Sequence, residues 1–399
     1  MSDSLQVVIA QRNRENAKIR LEEYIKSKDK ESYTCLNLSW LDLEKIPKIV
    51  YEFKNITKLE LHHNQLEKVP AKLNRKLKRL TYLNLSQNSI SNRKIRVSRN
   101  TRIEKLYLQN NELTSIPDWV RRFRNLKDLY LIQNQITGIG APLNRNKRLK
   151  RLDLSYNPVI LKPLDISRMK HLEILAMIHC DLDKVPDGIE KLENLKGLDL
   201  ANNKISEIPE SISRLQNLLR LSLYANEITL FPEHVFDMKN LVELDLYFNK
   251  IEKIPEGIDR MESIETLFLS ENRIYSLPES LGNMKSLKKL YLHDNRLSYL
   301  PIKPGQLENL NILHIHRNYF PELPEVISSF SFLEDLDISN NDIRVIPIWV
   351  RNFEHLKLFY LKGNPIDGRD SSNAHLPETI KLLRSGGTVI SSNIRTEDQ

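Results

Sequence analysis

The sequence predicts an α/β solenoid in which short parallel strands alternate with short helices and turns. The main observation is a repeat of 23 residues that recurs along almost the whole chain of 399 residues. Within each repeat, leucines alternate with other residues, and an asparagine follows at a fixed place. Because each repeat of a solenoid packs only on its neighbours, a chain of this length need not divide into separate globular domains.

The eighth repeat shows how the pattern predicts structure. Leu198 and Leu200 alternate with other residues, which predicts a short strand with one buried face. Asn203 can bond backbone groups of the turn, which a stack of parallel loops would leave unpaired in the interior. Pro209 limits the return segment to extended or helix-starting geometry, and Ile212 suits a short helical turn facing the core. Stacked repeats then form a horseshoe, with the parallel sheet on its concave face and the short helices and turns on its convex face.

The solenoid is predicted to occupy residues 33–366 and to contain about fifteen repeats. Every step between repeats is 23 residues except for one step of 24. The repeats begin at Tyr33, Ile56, Leu80, Ile103, Leu126, Leu149, Leu172, Leu195, Leu218, Leu241, Ile264, Leu287, Leu310, Leu333 and Leu356. The asparagine is present in thirteen of the fifteen, and Leu41 and Cys180 stand in its place in the others. The leucine in the first repeat suggests a capping repeat.

The two ends of the solenoid are expected to carry covers, because an open end would expose the core. Residues 1–32 are predicted to form an N-terminal helical cap, with a charged amphipathic helix over residues 5–27. Its apolar positions at helical spacing are Ala17, Leu21, Tyr24 and Ile25. Residues 367–399 are predicted to form a C-terminal helical cap, with a helix over residues 375–385 and a loose polar tail from about residue 391.

The cysteine content and the N-terminal residues predict a cytoplasmic protein. Cys35 and Cys180 lie six repeats apart, which at ~4.8 Å per strand separates them by about 29 Å, far beyond disulfide reach. The sequence has no cluster of cysteines that could form disulfides at the ends of the solenoid. The apolar run over residues 7–10 is too short for the core of a signal peptide, and no segment is expected to span a bilayer. These features indicate a reducing compartment.

The repeat motif LxxLxLxxNxLxxIPxxIxxLxx, as in residues 241–249 followed by Ile254-Pro255, is that of the typical 23-residue leucine-rich repeats. The chain resembles the intracellular Ras-group leucine-rich proteins, and also the bacterial leucine-rich repeat proteins, including the repeat domains of Roco proteins. The resemblance covers about residues 33–366. It implies a protein-binding scaffold, with a small GTPase or another signalling protein as a possible partner, and it implies no catalytic domain.

Aromatic residues are predicted to form a binding surface on the concave face of repeats nine to twelve. They are Tyr224, Tyr247, Phe248, Phe268 and Tyr291. Tyr224 and Tyr247 occupy the same position in successive repeats, which places them on adjacent strands. The predicted binding site also contains three acidic residues, Asp199, Asp245 and Glu271, which favour a partner with basic groups. The alternative is that the aromatic pairs only stabilise the sheet.

Three histidines lie next to these aromatic residues in the sequence pattern: His293, His314 and His316. Imidazoles on neighbouring strands can converge on a metal ion, but their spacing matches no dedicated metal motif. The sequence therefore predicts that the histidines extend the protein-binding surface, and it predicts no metal and no cofactor.

A basic stripe is predicted on the return segments of the early repeats. Residues 65–151 contain 21 Lys and Arg against 5 Asp and Glu, whereas the whole chain carries a net charge of +8. Its predicted members are Arg96, Arg99, Arg121, Arg122, Arg124, Arg145 and Arg148. Such a stripe could bind an acidic protein or an anionic lipid surface; nucleic acid is less favoured, because no nucleic-acid module accompanies it. The alternative is a solvated surface that keeps the protein soluble.

The sequence contains no recognisable catalytic machinery. It has only 11 glycines and shows no phosphate-binding loop, nucleophile elbow or paired metal-ligand motif. The leading interpretation is therefore a non-enzymatic, cytoplasmic scaffold for signal transduction that grips a partner protein on the concave face. One alternative is a bacterial effector or host-interaction protein that is exported without a cleaved signal. The other is an enzyme regulator, or a weak metal-dependent hydrolase that uses the three histidines.

Overall fold

The computed structural model describes residues 3–70, 72–92, 102–138, 141–160 and 166–392. These residues form two compact units: the first comprises the residues up to 182 together with 186–197, and the second comprises 183–185 and the residues from 198 onwards. In both units a three-residue strand is followed by a turn and a return segment, and this order repeats. The predicted alternation of short parallel strands with short helices and turns is confirmed.

The first unit contains a parallel sheet with one strand per repeat. Its strands are β1 (Cys35–Asn37), β2 (Lys58–Glu60), β3 (Tyr82–Asn84), β4 (Lys105–Tyr107), β5 (Asp128–Tyr130), β6 (Arg151–Asp153) and β7 (Ile174–Ala176). From β1 to β7, each strand pairs in parallel with the next. The repeat spacing sets the register, so that Leu106 lies opposite Leu129 and each strand adds one buried leucine to the core.

The second unit continues the same design. Its strands are β8 (Gly197–Asp199, of which the last two residues belong to this unit), β9 (Arg220–Ser222), β10 (Glu243–Asp245), β11 (Thr266–Phe268), β12 (Lys289–Tyr291), β13 (Ile312–His314), β14 (Asp335–Asp337), β15 (Leu358–Tyr360) and β16 (Val389–Ser391). From β9 to β16, each strand pairs in parallel with the next. The central leucines again face the core, and Phe268 lies opposite Tyr291 on the other side of the sheet.

The return segments form short helices, most of them 3-10 helices. The α-helices are α1 (Asp3–Lys26), α2 (Leu73–Lys76) and α3 (Leu376–Ser385). The 3-10 helices of the first unit are Lys48–Glu52, Asp118–Arg122, Ala141–Arg145 and Ile189–Lys191. Those of the second unit are Glu210–Arg214, Glu233–Asp237, Ile258–Arg260, Glu279–Asn283, Glu325–Ser329, Ile348–Asn352 and Ser371–Asn373. Among the described residues, no helix is both long enough and apolar enough to cross a membrane.

Proline starts most of these 3-10 helices. The backbone N–H of Ile212 donates to the carbonyl of Pro209 at 3.0 Å, and that of Val235 donates to the carbonyl of Pro232 at 2.9 Å. Proline suits this place because its ring fixes φ and it has no N–H that would need a partner. The turn directs Ile212 and Val235 into the core, where both are buried.

The asparagine side chains connect successive repeats in the interior. Asn226 accepts a hydrogen bond from the backbone N–H of Ile205 at 3.0 Å. Its amide donates to the carbonyls of Leu200 at 3.0 Å, Leu223 at 3.1 Å and Tyr224 at 3.3 Å. Asn226 is buried, so one side chain satisfies backbone groups that water cannot reach.

The same pattern of one accepted and three donated bonds recurs in both units, with a second accepted bond at Asn64. It is present at Asn64, Asn88, Asn111, Asn134, Asn157, Asn249, Asn272, Asn295, Asn318 and Asn341. Cys180 is buried at the equivalent place, where its thiol lies 3.3 Å from the carbonyl of Leu154. Burial raises the pKa of Cys180 to about 11, and Cys180 and Cys35 are not joined to each other by a disulfide.

The first repeat is covered by α1, although the helix makes fewer apolar contacts than its sequence predicts. Ala17 is fully buried, and the ring of Tyr24 packs edge-on against Tyr33 and Phe53. However, Ile25 is 54% exposed, so its prediction as part of the apolar face is wrong. A helix turns 100° per residue, so when Tyr24 packs on the first repeat, Ile25 is turned toward solvent.

The last repeat is covered by α3 and by an additional strand. Ile380 and Leu383 of α3 are buried, whereas Leu382 is exposed. After α3 the chain forms β16, in which Ile390 lies opposite Phe359 of β15. The sequence analysis missed this strand because it lacks the leucine spacing of the repeats.

Candidate functional site

The exposed sheet face consists of the strand residues that flank each central leucine and the two residues that follow the next leucine. In the tenth repeat, Glu243 and Asp245 flank the buried Leu244, and Tyr247 and Phe248 come after the strand. Because the leucines already fill the core, these other side chains are left on the solvent side of the sheet.

The five predicted aromatic residues form an aromatic cluster on this face of the second unit. The rings of Tyr224 and Tyr247 are stacked with their centroids 5.2 Å apart, and those of Phe268 and Tyr291 are stacked at 4.7 Å. Phe248 is 55% exposed and has a positive φ of 58°. The four stacked rings are half-buried, so the two rings of each pair stabilise one another and still present surface to solvent.

The predicted acidic residues have structural roles in addition to their charge. Asp199 accepts a hydrogen bond from the backbone N–H of Ala201 at 3.1 Å, and Asp245 accepts one from that of Tyr247 at 3.0 Å. Such bonds close the turn that ends each strand. Burial raises the pKa of Asp245, and the nearby charge of Asp199 adds to this effect. Glu271, the third predicted acid, is half-buried in the turn of the next repeat.

The three predicted histidines form a histidine cluster beside the aromatic cluster. The rings of His293 and His316 are stacked at 4.2 Å, and the ring of His314 lies 6.3 Å and 6.0 Å from them. Each histidine offers one ring nitrogen, and these three nitrogens lie within 4.8 Å of one another. Burial, together with the neighbouring His316, lowers the pKa of His293 to about 4. The His293 ring is therefore neutral at pH 7.

An oxygen atom lies beside one nitrogen of each histidine ring. Ser270 Oγ is hydrogen-bonded to His293 Nδ1 at 2.7 Å. Asp335 Oδ2 lies 3.2 Å from His314 Nε2, and Asp337 Oδ2 lies 3.0 Å from His316 Nδ1. Both of these ring nitrogens are buried and meet the carboxylates too obliquely to form hydrogen bonds. Burial alone would raise the pKa of Asp337, but the adjacent His316 ring and the donors of Ser339 lower it overall.

The aromatic and histidine clusters form one continuous surface. The ring of Tyr247 lies 5.8 Å from that of His293, and the ring of Tyr291 meets that of His314 edge-on at 5.1 Å. The structure therefore brings together residues of repeats nine to thirteen, as the sequence predicts for the binding surface. Their role in binding a partner stays a prediction.

A second aromatic stack, in the first unit, was missed by the sequence analysis. The rings of Tyr82 and Tyr107 lie 4.9 Å apart, and those of Tyr107 and Tyr130 are stacked at 4.6 Å. Burial raises the pKa of all three tyrosines. Tyr107 and Tyr130 occupy the same strand position in successive repeats, so the spacing used for Phe268 and Tyr291 could have found them.

The basic stripe is partly described by the structure. Arg121 and Arg122 lie in the 3-10 helix Asp118–Arg122 and are half-buried, whereas the side chains of Arg124, Arg145 and Arg148 are exposed. The guanidinium of Arg148 donates to the side-chain oxygen of Asn125 at 3.1 Å. A pocket next to these residues is lined by Lys147, Arg168, Lys170 and His171, among others. Arg96 and Arg99 lie outside the described residues.

We expect the triple variant Arg124→Glu, Arg145→Glu, Lys147→Glu to bind anionic vesicles more weakly than the wild-type protein. A basic side chain near such a surface contributes about 1 kcal/mol, so the loss should be roughly 100-fold or more at low salt. All three side chains are exposed, so the melting temperature should change little. The measurements are vesicle sedimentation and the salt concentration at which the protein elutes from heparin.

The matched control for this variant is Lys285→Glu, Arg344→Glu, Lys362→Glu. It makes the same change in net charge at exposed positions of the second unit, outside the stripe. If the control loses as much binding as the stripe variant, net charge alone accounts for the effect, and the stripe has no local role.

Comparisons with known proteins agree with this architecture. Two family models match the chain, described as "Leucine-rich repeat region" over residues 130–250 and "Leucine rich repeat" over residues 239–297. A leucine-rich repeat protein of Leptospira interrogans is 28% identical in sequence, and its structure matches with a TM-score of 0.77 over 91% of this chain and 97% of that chain. The ectodomain of an Arabidopsis thaliana membrane receptor kinase, solved in complex with Casparian strip integrity factor 2, is 26% identical, with a TM-score of 0.61 over 87% of this chain and 46% of that chain.

The chain is also similar to part of a family of channel subunits. The volume-regulated anion channel subunits LRRC8A of Homo sapiens, Mus musculus and Rattus norvegicus are 34% identical to it over 85 residues. That stretch is 21% of this chain and 10% of the channel subunit, so the chain matches only a tenth of the length of these curated relatives. The repeat motif, the strand order and these likenesses together show that the chain is a leucine-rich repeat protein.

Proposed function

We propose that this leucine-rich repeat protein is a non-enzymatic scaffold that binds a partner protein on the exposed sheet face of its second unit. The proposal places the partner on repeats nine to thirteen, over the aromatic and histidine clusters. It includes a cytoplasmic location and a signalling protein, such as a small GTPase, as the partner.

The observation that carries the proposal is the continuous run of aromatic and imidazole rings on a face that the core does not need. The leucines behind Tyr247 and Phe268 are already fully buried, so the rings are not required to fill the interior. Phe248 is the most exposed member of the aromatic cluster. Aromatic side chains grouped on a solvent-facing surface are typical of the centre of a protein interface.

The charges around the clusters favour a partner that presents lysine or arginine. Asp245, Glu271 and Asp294 lie on the same face as Tyr247, and the carboxylates of Glu271 and Asp294 contribute to a raised pKa of its phenol. Burial is the largest cause of that shift. A cation over an aromatic ring gains about 0.5–2 kcal/mol, and the acidic residues increase the attraction of basic groups to this surface.

The likeness to the Arabidopsis receptor supports a binding role. That receptor was solved in complex with Casparian strip integrity factor 2, and its repeats match 87% of this chain. A leucine-rich repeat solenoid of this kind is therefore able to bind another molecule, although the partner differs from one protein to another.

A second candidate function is that of a bacterial effector or host-interaction protein. It is favoured by the likeness to the Leptospira interrogans protein, which extends over 91% of this chain and 97% of that one. Fractionation of the native organism separates the two candidates. Recovery from the cytoplasm supports the scaffold, and recovery from the culture supernatant of intact cells supports the effector.

Site-specific photo-crosslinking tests the proposed surface. A photoreactive phenylalanine analogue in place of Phe248 is expected to capture the partner in native lysate, because this ring is exposed within the aromatic cluster. The same analogue in place of Tyr319, which is 58% exposed in the turn after Asn318, is the control. Captured proteins that are identical at both positions, or absent from both, would contradict the proposed site.

A further inference from the structure

We propose that His293, His314 and His316 form a binding site for a zinc ion on the exposed sheet face of the second unit. The inference goes beyond the proposed scaffold function and does not depend on the identity of a partner. One ring nitrogen from each histidine lies within 4.8 Å of the other two. Three imidazoles are a ligand set that zinc accepts with tetrahedral geometry.

The distances between the histidines are compatible with a common metal ion. Zinc–nitrogen bonds are about 2.0–2.1 Å long, so two ligand nitrogens on a tetrahedral ion lie roughly 3.4 Å apart. The observed spacing, at most 4.8 Å, can close by small rotations of the side chains. His293 and His316 occupy equivalent positions just after the strands of adjacent repeats, with their rings stacked at 4.2 Å, so the backbone need not move.

The oxygen atoms behind the rings are a second and independent observation in favour of a metal site. Ser270 Oγ, Asp335 Oδ2 and Asp337 Oδ2 lie at 2.7, 3.2 and 3.0 Å from ring nitrogens of His293, His314 and His316, respectively. Histidine ligands of metals almost always donate their other ring N–H to an oxygen of this kind, which fixes the tautomer and orients the lone pair. Here each of the three histidines has an oxygen beside one ring nitrogen, which would leave the other ring nitrogen for the metal.

The polar atoms that lack partners also fit a metal-bound arrangement. His314 Nε2, His316 Nδ1 and Asp335 Oδ1 are buried and make no hydrogen bond, which is costly for polar groups without water. Rotation of the two imidazoles toward a shared ion would change the angle at which their N–H groups meet the carboxylates. Metal binding can therefore complete the hydrogen bonds from His314 to Asp335 and from His316 to Asp337.

The donor set favours zinc and leaves one coordination position open. Imidazole nitrogens suit zinc and similar transition metals, whereas magnesium and calcium prefer oxygen ligands. Three protein ligands leave a fourth position for water or another donor. Because the side chains of His314 and His316 are about one-fifth exposed, this position is reached from the solvent side of the sheet, beside the aromatic cluster.

Titration of the metal-free full-length protein with zinc chloride tests the proposal. Calorimetry is expected to show one zinc ion bound per chain, and cobalt in place of zinc is expected to give the intense visible absorption of a tetrahedral site. Changing His314 or His316 to Gln should weaken zinc binding by about 100-fold or more, since loss of an outer partner alone typically costs 10–100-fold. Circular dichroism of each variant checks that it is folded.

Asp337→Asn is the most specific test of the site, because asparagine already occupies the equivalent position in another repeat of this chain. Asp337 accepts bonds from the N–H and hydroxyl of Ser339 at 2.9 and 2.6 Å, and Asn84 accepts the same two bonds from Ser86 at 3.0 and 2.7 Å. The substitution keeps the turn and replaces the carboxylate oxygen behind His316 by an amide NH2, so both the negative charge and the hydrogen-bond acceptor at that place are lost. We expect zinc affinity to fall by about 10–100-fold with little change in stability.

Two controls separate the zinc site from other effects. His179→Ala removes a histidine that stacks on Tyr156 at 5.2 Å in the first unit, and it should leave zinc affinity unchanged. The variant Tyr247→Ala, Phe268→Ala should lose the protein partner and keep the zinc, so failure of one proposal is distinguishable from failure of the other. Zinc binding by the wild-type protein that is absent, or no tighter than in the folded triple variant His293→Gln, His314→Gln, His316→Gln, would overturn the inference.

Discussion

Replacing Asn226 by alanine is expected to lower the free energy of unfolding by about 1–3 kcal/mol. The N–H of Ile205 would lose the buried acceptor that it has in the wild-type protein. The carbonyls of Leu200 and Leu223 also lose the Asn226 donor, but each keeps another one. The carbonyl of Leu200 still accepts from Asn203, and that of Leu223 still accepts from Asn249. The measurement is a urea titration followed by circular dichroism.

The double variant Asn226→Ala, Asn249→Ala is expected to lose more stability than the sum of the two single variants. In the wild-type protein the carbonyl of Leu223 accepts one bond from each asparagine, at 3.1 Å and 3.0 Å. Each single variant leaves it one donor, but the double variant leaves it none. Residues that share a partner are coupled in this way.

Asn240→Ala is the matched control for the asparagine variants. Asn240 is exposed and donates one bond, to the carbonyl of Gln216 at 2.8 Å, so its loss should cost no more than about 0.5 kcal/mol. Unfolding midpoints for Asn226→Ala and Asn249→Ala that equal that of the control would show that the buried hydrogen bonds contribute nothing net to stability.

The double variant Tyr247→Ala, Phe268→Ala is expected to abolish binding of the partner protein. Each ring belongs to a stacked pair at the middle of the proposed surface, and truncation of such a hot spot costs about 2 kcal/mol or more. Together the two changes should weaken binding by roughly 1,000-fold. The measurement is the affinity of each variant for the captured partner, by calorimetry or surface plasmon resonance.

The folded state should survive this double variant, because both rings lie on the solvent side of the sheet. Loss of a cross-strand stack costs about 0.5–1 kcal/mol, so a small fall in melting temperature is expected. The control, Tyr319→Ala, Phe332→Ala, removes a tyrosine and a phenylalanine that are both more than half exposed outside the sheet face. A partner that binds the first variant with wild-type affinity must occupy another surface.

The repeat spacing made several contacts of the candidate site predictable. In a parallel stack, residues one repeat apart lie on adjacent strands, so their side chains meet without further information. The pairs Tyr224–Tyr247, Phe268–Tyr291 and His293–His316 follow from this rule, and their rings stack at 5.2, 4.7 and 4.2 Å. The asparagine bonds follow for the same reason.

Features outside the repeat were harder to predict. The strand β16 lies beyond the leucine pattern, and its pairing with β15 depends on how α3 directs the chain back to the sheet. The exposure of Ile25 depends on which side of α1 meets the first repeat. Helical spacing alone does not determine that side, because the apolar residues of α1, among them Ile19, Leu21 and Ile25, do not all lie on one narrow face.

The sequence by itself determined the leucine-rich repeat fold, the register of its strands and the residues that share its exposed face. Only the tertiary structure decided how the side chains on that face orient toward one another. The approach of His314 to the His293–His316 stack, and the positions of Ser270, Asp335 and Asp337 behind the three rings, involve four neighbouring repeats. The physical reason is that the repeat fixes where each backbone segment lies, whereas the histidine cluster also requires particular side-chain rotamers. Packing against neighbouring side chains selects those rotamers.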